Sequence, residues 1–126
     1  MTIAQVSKKY DITQDTIRYY EKIGLLPKVP REKSGIRNFD EESCRWLEFI
    51  KCMRSAGMSI EALSKYVALY KEGKETLSQR KELLENQRKL LLEKQKNIAE
   101  TIERLNHKLE IYEQIESGKR KDFMEE

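Results

Sequence analysis

The chain reads as a mainly α protein, a winged helix-turn-helix head followed by one long helix that pairs with a second copy of itself. Three features carry that expectation. Short helical patterns with their own cap residues fill residues 1–72, two prolines and a glycine interrupt them between 27 and 35, and residues 76–116 contain no Pro or Gly. At 126 residues the chain can bury one modest core.

Thr2, with Gln5 three positions on, makes a capping-box pattern that opens a first helix over 3–9, with Ile3, Val6 and Tyr10 inward. After the turn Asp11-Ile12, Thr13 caps a second helix over 14–23, whose inward side carries Ile17, Tyr20 and Gly24. Pro27 and Pro30 bar helix from the next segment, so Lys28 to Pro30 and Ile36 to Phe39 are expected to form a short two-stranded wing turning at Ser34-Gly35. Asp40 caps a third helix reaching Ala56. On a wheel of 100° per residue, Ser43, Trp46, Leu47, Ile50, Met53 and Gly57 gather on one side of it. Ser59 caps a fourth helix, with Ile60, Leu63 and Val67 inward, Tyr66 or Tyr70 beside them, and Gly73 at its end.

From Thr76 to Glu116, Leu77, Leu84, Leu91, Ile98, Leu105 and Tyr112 recur every seven residues without a miss. Leu83, Leu90, Ile102, Leu109, Ile111 and Ile115 broaden the stripe. Arg80, Gln87, Arg88, Lys94 and Gln95 stand where a strict heptad wants apolar groups, so the seam is narrow in its middle and suits two strands. About 40 helical residues span roughly 60 Å, more than the small head can cover. A second chain is expected to cover the stripe. The domains expected are a DNA-binding head over 1–72, a dimerisation helix over 76–116 and a short charged tail over 117–126.

The formal charge is only +3, from 25 basic and 22 acidic residues, but its distribution is uneven. Residues 1–58 hold 11 Lys and Arg against 8 Asp and Glu, whereas residues 59–126 hold 14 of each. Opposite the inward side of the second helix lie Gln14, Arg18 and Lys22, flanked by Asp15 and Tyr19. Amide and guanidinium forks suit base edges, while a cation and a phenol suit phosphates. Thr13 and Thr16 add hydroxyls at the helix N-terminus, where the dipole favours phosphate. Lys28, Arg31, Lys33 and Arg37 on the wing reach the flanking backbone. The partner implied is double-stranded DNA, read by a two-fold symmetric pair of heads.

Other function classes find little support. No run of about 18 apolar residues and no basic-then-apolar leader is present, so neither a membrane span nor a secretory signal is indicated and a cytoplasmic site is expected. Cys44 and Cys52, eight residues apart on one helix, are separated by roughly 12 Å along it. A bridge needs its Cα atoms within about 7 Å. Paired carboxylates, Ser-His or Cys-His arrangements and phosphate-cradling loops are not recognisable, so an enzyme is not expected. Neither is a cofactor.

Residues 1–72 resemble the DNA-binding domain of the MerR family of transcriptional regulators. The resemblance rests on RYYE-x-IGLL-P from Arg18 to Pro27 and on G-x-R-x-aromatic from Gly35 to Phe39. It implies a homodimer joined by an antiparallel coiled coil of the last helix and bound to a near-palindromic promoter with an over-long spacer. On effector binding such a dimer bends and untwists the DNA, so that RNA polymerase is a partner only indirectly. Carried onto this chain, it makes Arg18 and Tyr19 core DNA contacts, Arg37 the wing's backbone contact and Tyr20 structural. Ile36 and Phe39 depart from the family, where tyrosines are frequent.

A metal sensor of this family would place soft ligands at the start of the long helix and near the C-terminus. Here no Cys follows residue 52 and His107 is the sole histidine, so no metal site is expected. With about ten residues after the coil, a separate ligand-binding domain is not expected either. Cys52 remains, about 160° round the third helix from Ile50 and beside Arg45 and Glu48, with Arg45 and Lys51 as cations that favour thiolate. The stretch FIKCMRSAGMSIEAL resembles the aldehyde-responsive branch of the family, of AdhR and NmlR type, in which a cysteine at this place is the proposed sensor. The expectation is therefore a regulator acting by promoter distortion and sensing reactive aldehydes through Cys52. Two alternatives stay open. One is a regulator of the same family answering another small metabolite or a partner with Cys52 idle, and the other a nucleic-acid-binding coiled-coil protein that does not regulate.

Overall fold

Side-chain oxygens placed just ahead of each helical pattern start the four short helices. In the computed structural model, which describes residues 1–120, these are α1 (Ile3–Tyr10), α2 (Gln14–Lys22), α3 (Glu41–Ser55) and α4 (Ile60–Glu72), followed by a 3₁₀ turn (Lys74–Thr76) and α5 (Leu77–Glu116). Thr2, Thr13, Asp40 and Ser59 each accept a hydrogen bond from the backbone N–H three residues on, an arrangement that stabilises a helix start by about 1 kcal/mol. Gln5 returns the bond to Thr2, completing the capping box.

The turn between α1 and α2 is tight because Asp11 takes the left-handed conformation, with φ +53°, that a short polar side chain tolerates better than most. Its N–H and that of Ile12 both close onto the Ser7 carbonyl, and the Ser7 hydroxyl donates to Ile12 O at 2.5 Å. α2 ends in the same spirit. Gly24, at φ +79°, lets the N–H groups of Leu25 and Leu26 double back onto Tyr20 O at 2.9 and 3.0 Å.

That reversal carries the following loop inward. The core cluster contains Val6, Ile17, Leu47, Ile50 and Leu63 from helices, and also Leu25, Leu26, Val29, Phe39 and Met58 from the connections. Val6, Leu47, Ile50, Leu63 and Val67 are buried, as the spacing predicts. Gly57 instead lies exposed beyond the end of α3, while Cys44 and Phe49 join the packed side. Phe39, expected on the wing, is only 2 % exposed, and its N–H bonds Met1 O at 2.8 Å.

The wing departs from expectation. No strand forms among the described residues, and Lys28–Pro30 does not pair as one; a single antiparallel bridge joins Arg31 to Arg37. Val29 is buried with its N–H turned to Glu21, and Pro30 offers no N–H, so of Lys28–Pro30 it is the Pro30 carbonyl that bonds across the turn, accepting from Asn38 N–H at 2.7 Å. Gly35, at φ +87°, closes the turn by donating to Glu32 O at 2.8 Å.

Two compact units divide the chain, Met1–Gln87 and the residues from Arg88 on. The first reaches into α5, where the half-buried Leu83 packs against the core cluster. At the entrance to α5, the buried Thr76 hydroxyl lies 2.6 Å from Leu69 O and 2.8 Å from Gly73 O, and it accepts from Arg80 Nε at 3.1 Å. Arg80 in turn lies over the Tyr70 ring, at 5.4 Å from its centroid. In the second unit Leu90, Leu92, Ile98, Ile102, Leu105 and Leu109 are all at least half exposed, Ile111 is buried and Ile115 half-buried. The charged tail expected over 117–126 falls within the described residues only as far as Arg120.

Replacing the Thr76 hydroxyl by a methyl group keeps the shape and removes the polar link. Thr76→Val is expected to lower the head's stability by about 1 to 3 kcal/mol in urea denaturation; an unchanged midpoint would show that the link contributes nothing.

Candidate nucleic-acid interface

α2 presents its polar side as one array. Arg18 Nη1 lies 3.1 Å from Asp15 Oδ1 and its Nη2 donates to Gln14 Oε1 at 3.2 Å, so both terminal nitrogens meet acceptors one turn back on the same helix. Both partners of the ion pair are largely exposed, 45 % and 98 %, and exposed pairs contribute at most about 1 kcal/mol. The fork can therefore leave Asp15 for a better acceptor at little cost. Thr13 and Thr16 hydroxyls bond each other at 2.7 Å at the helix start. Tyr19 is half exposed and tilted against Tyr20, which packs on the core; Lys22 is exposed.

The wing is tied to this helix by a carboxylate that the sequence pattern had not singled out. Glu21 Oε2 accepts from Val29 N–H at 2.9 Å and its Oε1 from Arg37 Nε at 2.8 Å, with Arg31 Nη2 at 3.8 Å. Arg31 Nη1 donates to Gly35 O at 2.8 Å, across its own turn. Arg37, expected to reach outward, is thus half-buried and anchored, whereas Lys28 and Lys33 are exposed. A signal was available. Glu21 lies only 40° round the wheel from the buried Ile17, and a charge on an inward face needs a partner.

Burial alone would raise the Glu21 carboxyl, but hydrogen bonds from Arg37 and Val29 and the charges of Arg37 and Arg31 outweigh it and hold the group below the ordinary carboxylate range.

The remaining candidates lie elsewhere. Cys52 is exposed on α3 and Cys44 half-buried against the core. The two cations expected beside Cys52 are engaged otherwise: the Lys51 ammonium donates to Tyr10 O at the end of α1, and Arg45 lies 3.9 Å from Glu41 Oε2. His107 is exposed in the second unit. Of the heptad positions, Leu77, Ile98, Leu105 and Tyr112 are exposed, and Leu84 and Leu91 half-buried. Between α4 and the start of α5 lies a groove of about 500 Å³, lined by Lys65, Gln79, Glu82, Asn86 and Gln87 beside Leu69 and Leu83.

Two family descriptions match the chain, "MerR HTH family regulatory protein" over residues 1–69 and "MerR, DNA binding" over 44–108. The HTH-type transcriptional regulator AdhR of Bacillus subtilis (strain 168) is 56 % identical over 84 residues, which take in 67 % of this chain and 60 % of that protein. The chain thus spans less than two thirds of that relative. Among solved structures, a protein described as a MerR family transcriptional regulator from Listeria monocytogenes superposes with a TM-score of 0.87 at 45 % identity, covering 90 % of this chain and 86 % of that one. HiNmlR, a MerR family regulator lacking the sensor domain and bound to promoter DNA, superposes with a TM-score of 0.84 at 30 % identity over 92 % of both chains.

Because the folded state holds Glu21 at a lowered pKa, its contribution to stability is full above the unfolded value and fades as pH falls through the folded one. Acid titration followed by circular dichroism is expected to show the head losing stability below the ordinary carboxylate range, and Glu21→Gln is expected to flatten that loss.

Proposed function

This chain belongs to the MerR family of DNA-binding transcriptional regulators, and we propose that it works as a homodimer that distorts promoter DNA in response to a reactive aldehyde captured by Cys52. In this reading Gln14, Arg18 and Lys22 of α2 enter the major groove with Tyr19, and Thr13 and Thr16 offer the helix start to a phosphate. Arg31, Lys33 and Arg37 bind the backbone beside it. The array built on Arg18 supports the first assignment, since its two terminal nitrogens already meet two acceptors side by side, the pattern a base edge offers, and those exposed partners are easily exchanged. A similar protein has been solved on promoter DNA.

The dimer is supported by the exposed leucines and isoleucines of α5. Leaving such a stripe in water is unfavourable by about 25 cal/mol for each Å² of apolar surface, and a second copy of the same helix, running antiparallel as the family resemblance implies, covers it. Bending a promoter of this size costs on the order of 1 to 6 kcal/mol. A small change in how the two heads are held is enough to supply or withdraw it. RNA polymerase then engages the reshaped promoter, in the cytoplasm where that DNA resides.

The sensing half rests on one observation, the exposure of Cys52 on the side of α3 away from Leu47 and Ile50. Free cysteines are among the most buried residues. An adduct here forms without opening the core: the sulfur adds to the carbonyl carbon, the thiol proton passes to the carbonyl oxygen, and a hemithioacetal results. A second reading, a regulator answering a small polar metabolite with Cys52 idle, is favoured by the groove lined by Lys65, Gln79, Glu82 and Asn86.

Transcription in vitro from the protein's own promoter, with and without formaldehyde or methylglyoxal, separates the two. Cys52→Ser is expected to keep operator binding and to lose the aldehyde response; a retained response would remove Cys52 as sensor. Arg18→Ala is expected to weaken operator binding by tenfold or more in gel-shift titrations, the loss of one good fork to a base. Ile98→Arg on the exposed stripe is expected to turn a dimer into a monomer in sedimentation equilibrium, and an unaltered mass would dismiss the coiled-coil pairing.

A further inference from the structure

The Glu21 carboxylate is the joint between two parts of the interface that belong to different segments of the chain. One oxygen takes the Val29 N–H at 2.9 Å, fixing where the chain leaves the head, and the other takes Arg37 Nε at 2.8 Å, fixing where it returns. Between those two points run Pro30 to Ile36, all exposed and held across the turn by the Arg31–Arg37 bridge, by Glu32 N–H to Ile36 O at 2.8 Å and by Asn38 N–H to Pro30 O at 2.7 Å. These bonds set the internal shape of the wing. None of them reaches α2. Among the described contacts, the polar link from the wing's cations to the reading helix is the one made by Glu21.

We propose that Glu21 is a positioning residue for DNA recognition: it sets the wing's Arg31 and Arg37 in register with Arg18 on α2, and by holding Arg37 it restrains that cation from binding duplex of any sequence. This rests on the reading of α2 and the wing as DNA contacts. The geometry supplies both effects. A guanidinium has five N–H donors, of which the bond to Glu21 uses the one on Nε, so the group stays oriented with donors left over for a phosphate. The restraint follows from sign. A carboxylate 2.8 Å from Arg37 and 3.8 Å from Arg31 offsets part of their charge, and it repels a phosphate that approaches from the wrong direction.

Released from Glu21, the two arginines are freer and more strongly cationic, which favours any duplex equally. Held by it, they are placed, which favours the one duplex whose backbone fits. The residue therefore acts on the ratio of operator binding to random binding, and a residue that merely stabilised the fold would lower both together.

The test uses the full chain and two duplexes, the operator and a scrambled sequence of the same length, in fluorescence-anisotropy titrations at one salt concentration. Glu21→Gln, which keeps the size and an acceptor but no charge, is expected to weaken operator binding about tenfold and to leave scrambled-duplex binding equal or stronger. In an Arg37→Ala background the same change is expected to have less than a threefold effect on the operator, because the restrained cation is gone. Equal losses on both duplexes, or full additivity with Arg37→Ala, would overturn the proposal. Should Glu21→Gln unfold at the assay temperature, Glu21→Asp is measured in its place: its carboxylate falls one methylene short of Arg37, and the same loss of operator preference is expected. A normal Arg37→Ala protein on the operator would withdraw the contact reading on which the role rests, whereas a defective Arg37→Ala beside an unaffected Glu21→Gln would overturn the positioning role alone.

Discussion

The helices of the head are too short to bury a core by themselves, and the rest of the structure follows from how that shortage is met. α1 has eight residues and α2 nine, and each gives the interior one fully buried side chain, Val6 and Ile17. The deficit is made up by the connection after α2, whose Leu25, Leu26 and Val29 are at most 1 % exposed, and by Phe39 on its return. Both ends of the wing are therefore held by hydrophobic burial, at about 1.5 to 3 kcal/mol for each such side chain. The tip between them is left in water. A loop clamped in this way combines a fixed base with an exposed basic crest, which a flexible arm would not offer a duplex.

Polar contacts then refine what burial has fixed coarsely. Asp11 and Gly24, each in the left-handed region, set the approach and departure of α2, and Glu21 sets the distance from α2 to the wing. The α4–α5 entrance follows the same logic, with one buried hydroxyl, Thr76, serving two carbonyls and a guanidinium. In the second unit this economy ends. Ile98, Leu105 and Leu109 remain more than half exposed there, and the paired arrangement proposed above would cover them.

The caps and periodicities were legible in the sequence because they are local. A hydroxyl or carboxylate three residues ahead of its N–H, or an apolar residue every third or fourth place, needs only the helix itself, so the starts at Thr2, Thr13, Asp40 and Ser59 and the buried positions of α3 and α4 could be placed from the chain alone. The polar array of α2 was legible for the same reason. What the pattern did not reveal depends on contacts across many residues. Val29 turned inward in place of the wing's first strand, Phe39 moved from the wing to the core, Leu83 packed on the head, and the Lys51 ammonium reached Tyr10 O. Glu21 lies between the two cases. Its place on the inward face was readable, but the partners that make the place tolerable, Val29 and Arg37, are 8 and 16 residues away.

The pairing of Arg37 with Glu21 also bears on ionic strength. A lysine or arginine that meets a phosphate ordinarily displaces a small cation condensed on the DNA, and each such release steepens the fall of affinity with added salt. Under the DNA contacts proposed above, Arg37 would arrive with an internal counterion on its own chain, Glu21, and its share of that release would be reduced. The exposed Lys28 and Lys33 would then carry the wing's portion of the electrolyte sensitivity, and the complex would tolerate saline conditions better than a simple tally of its basic side chains suggests.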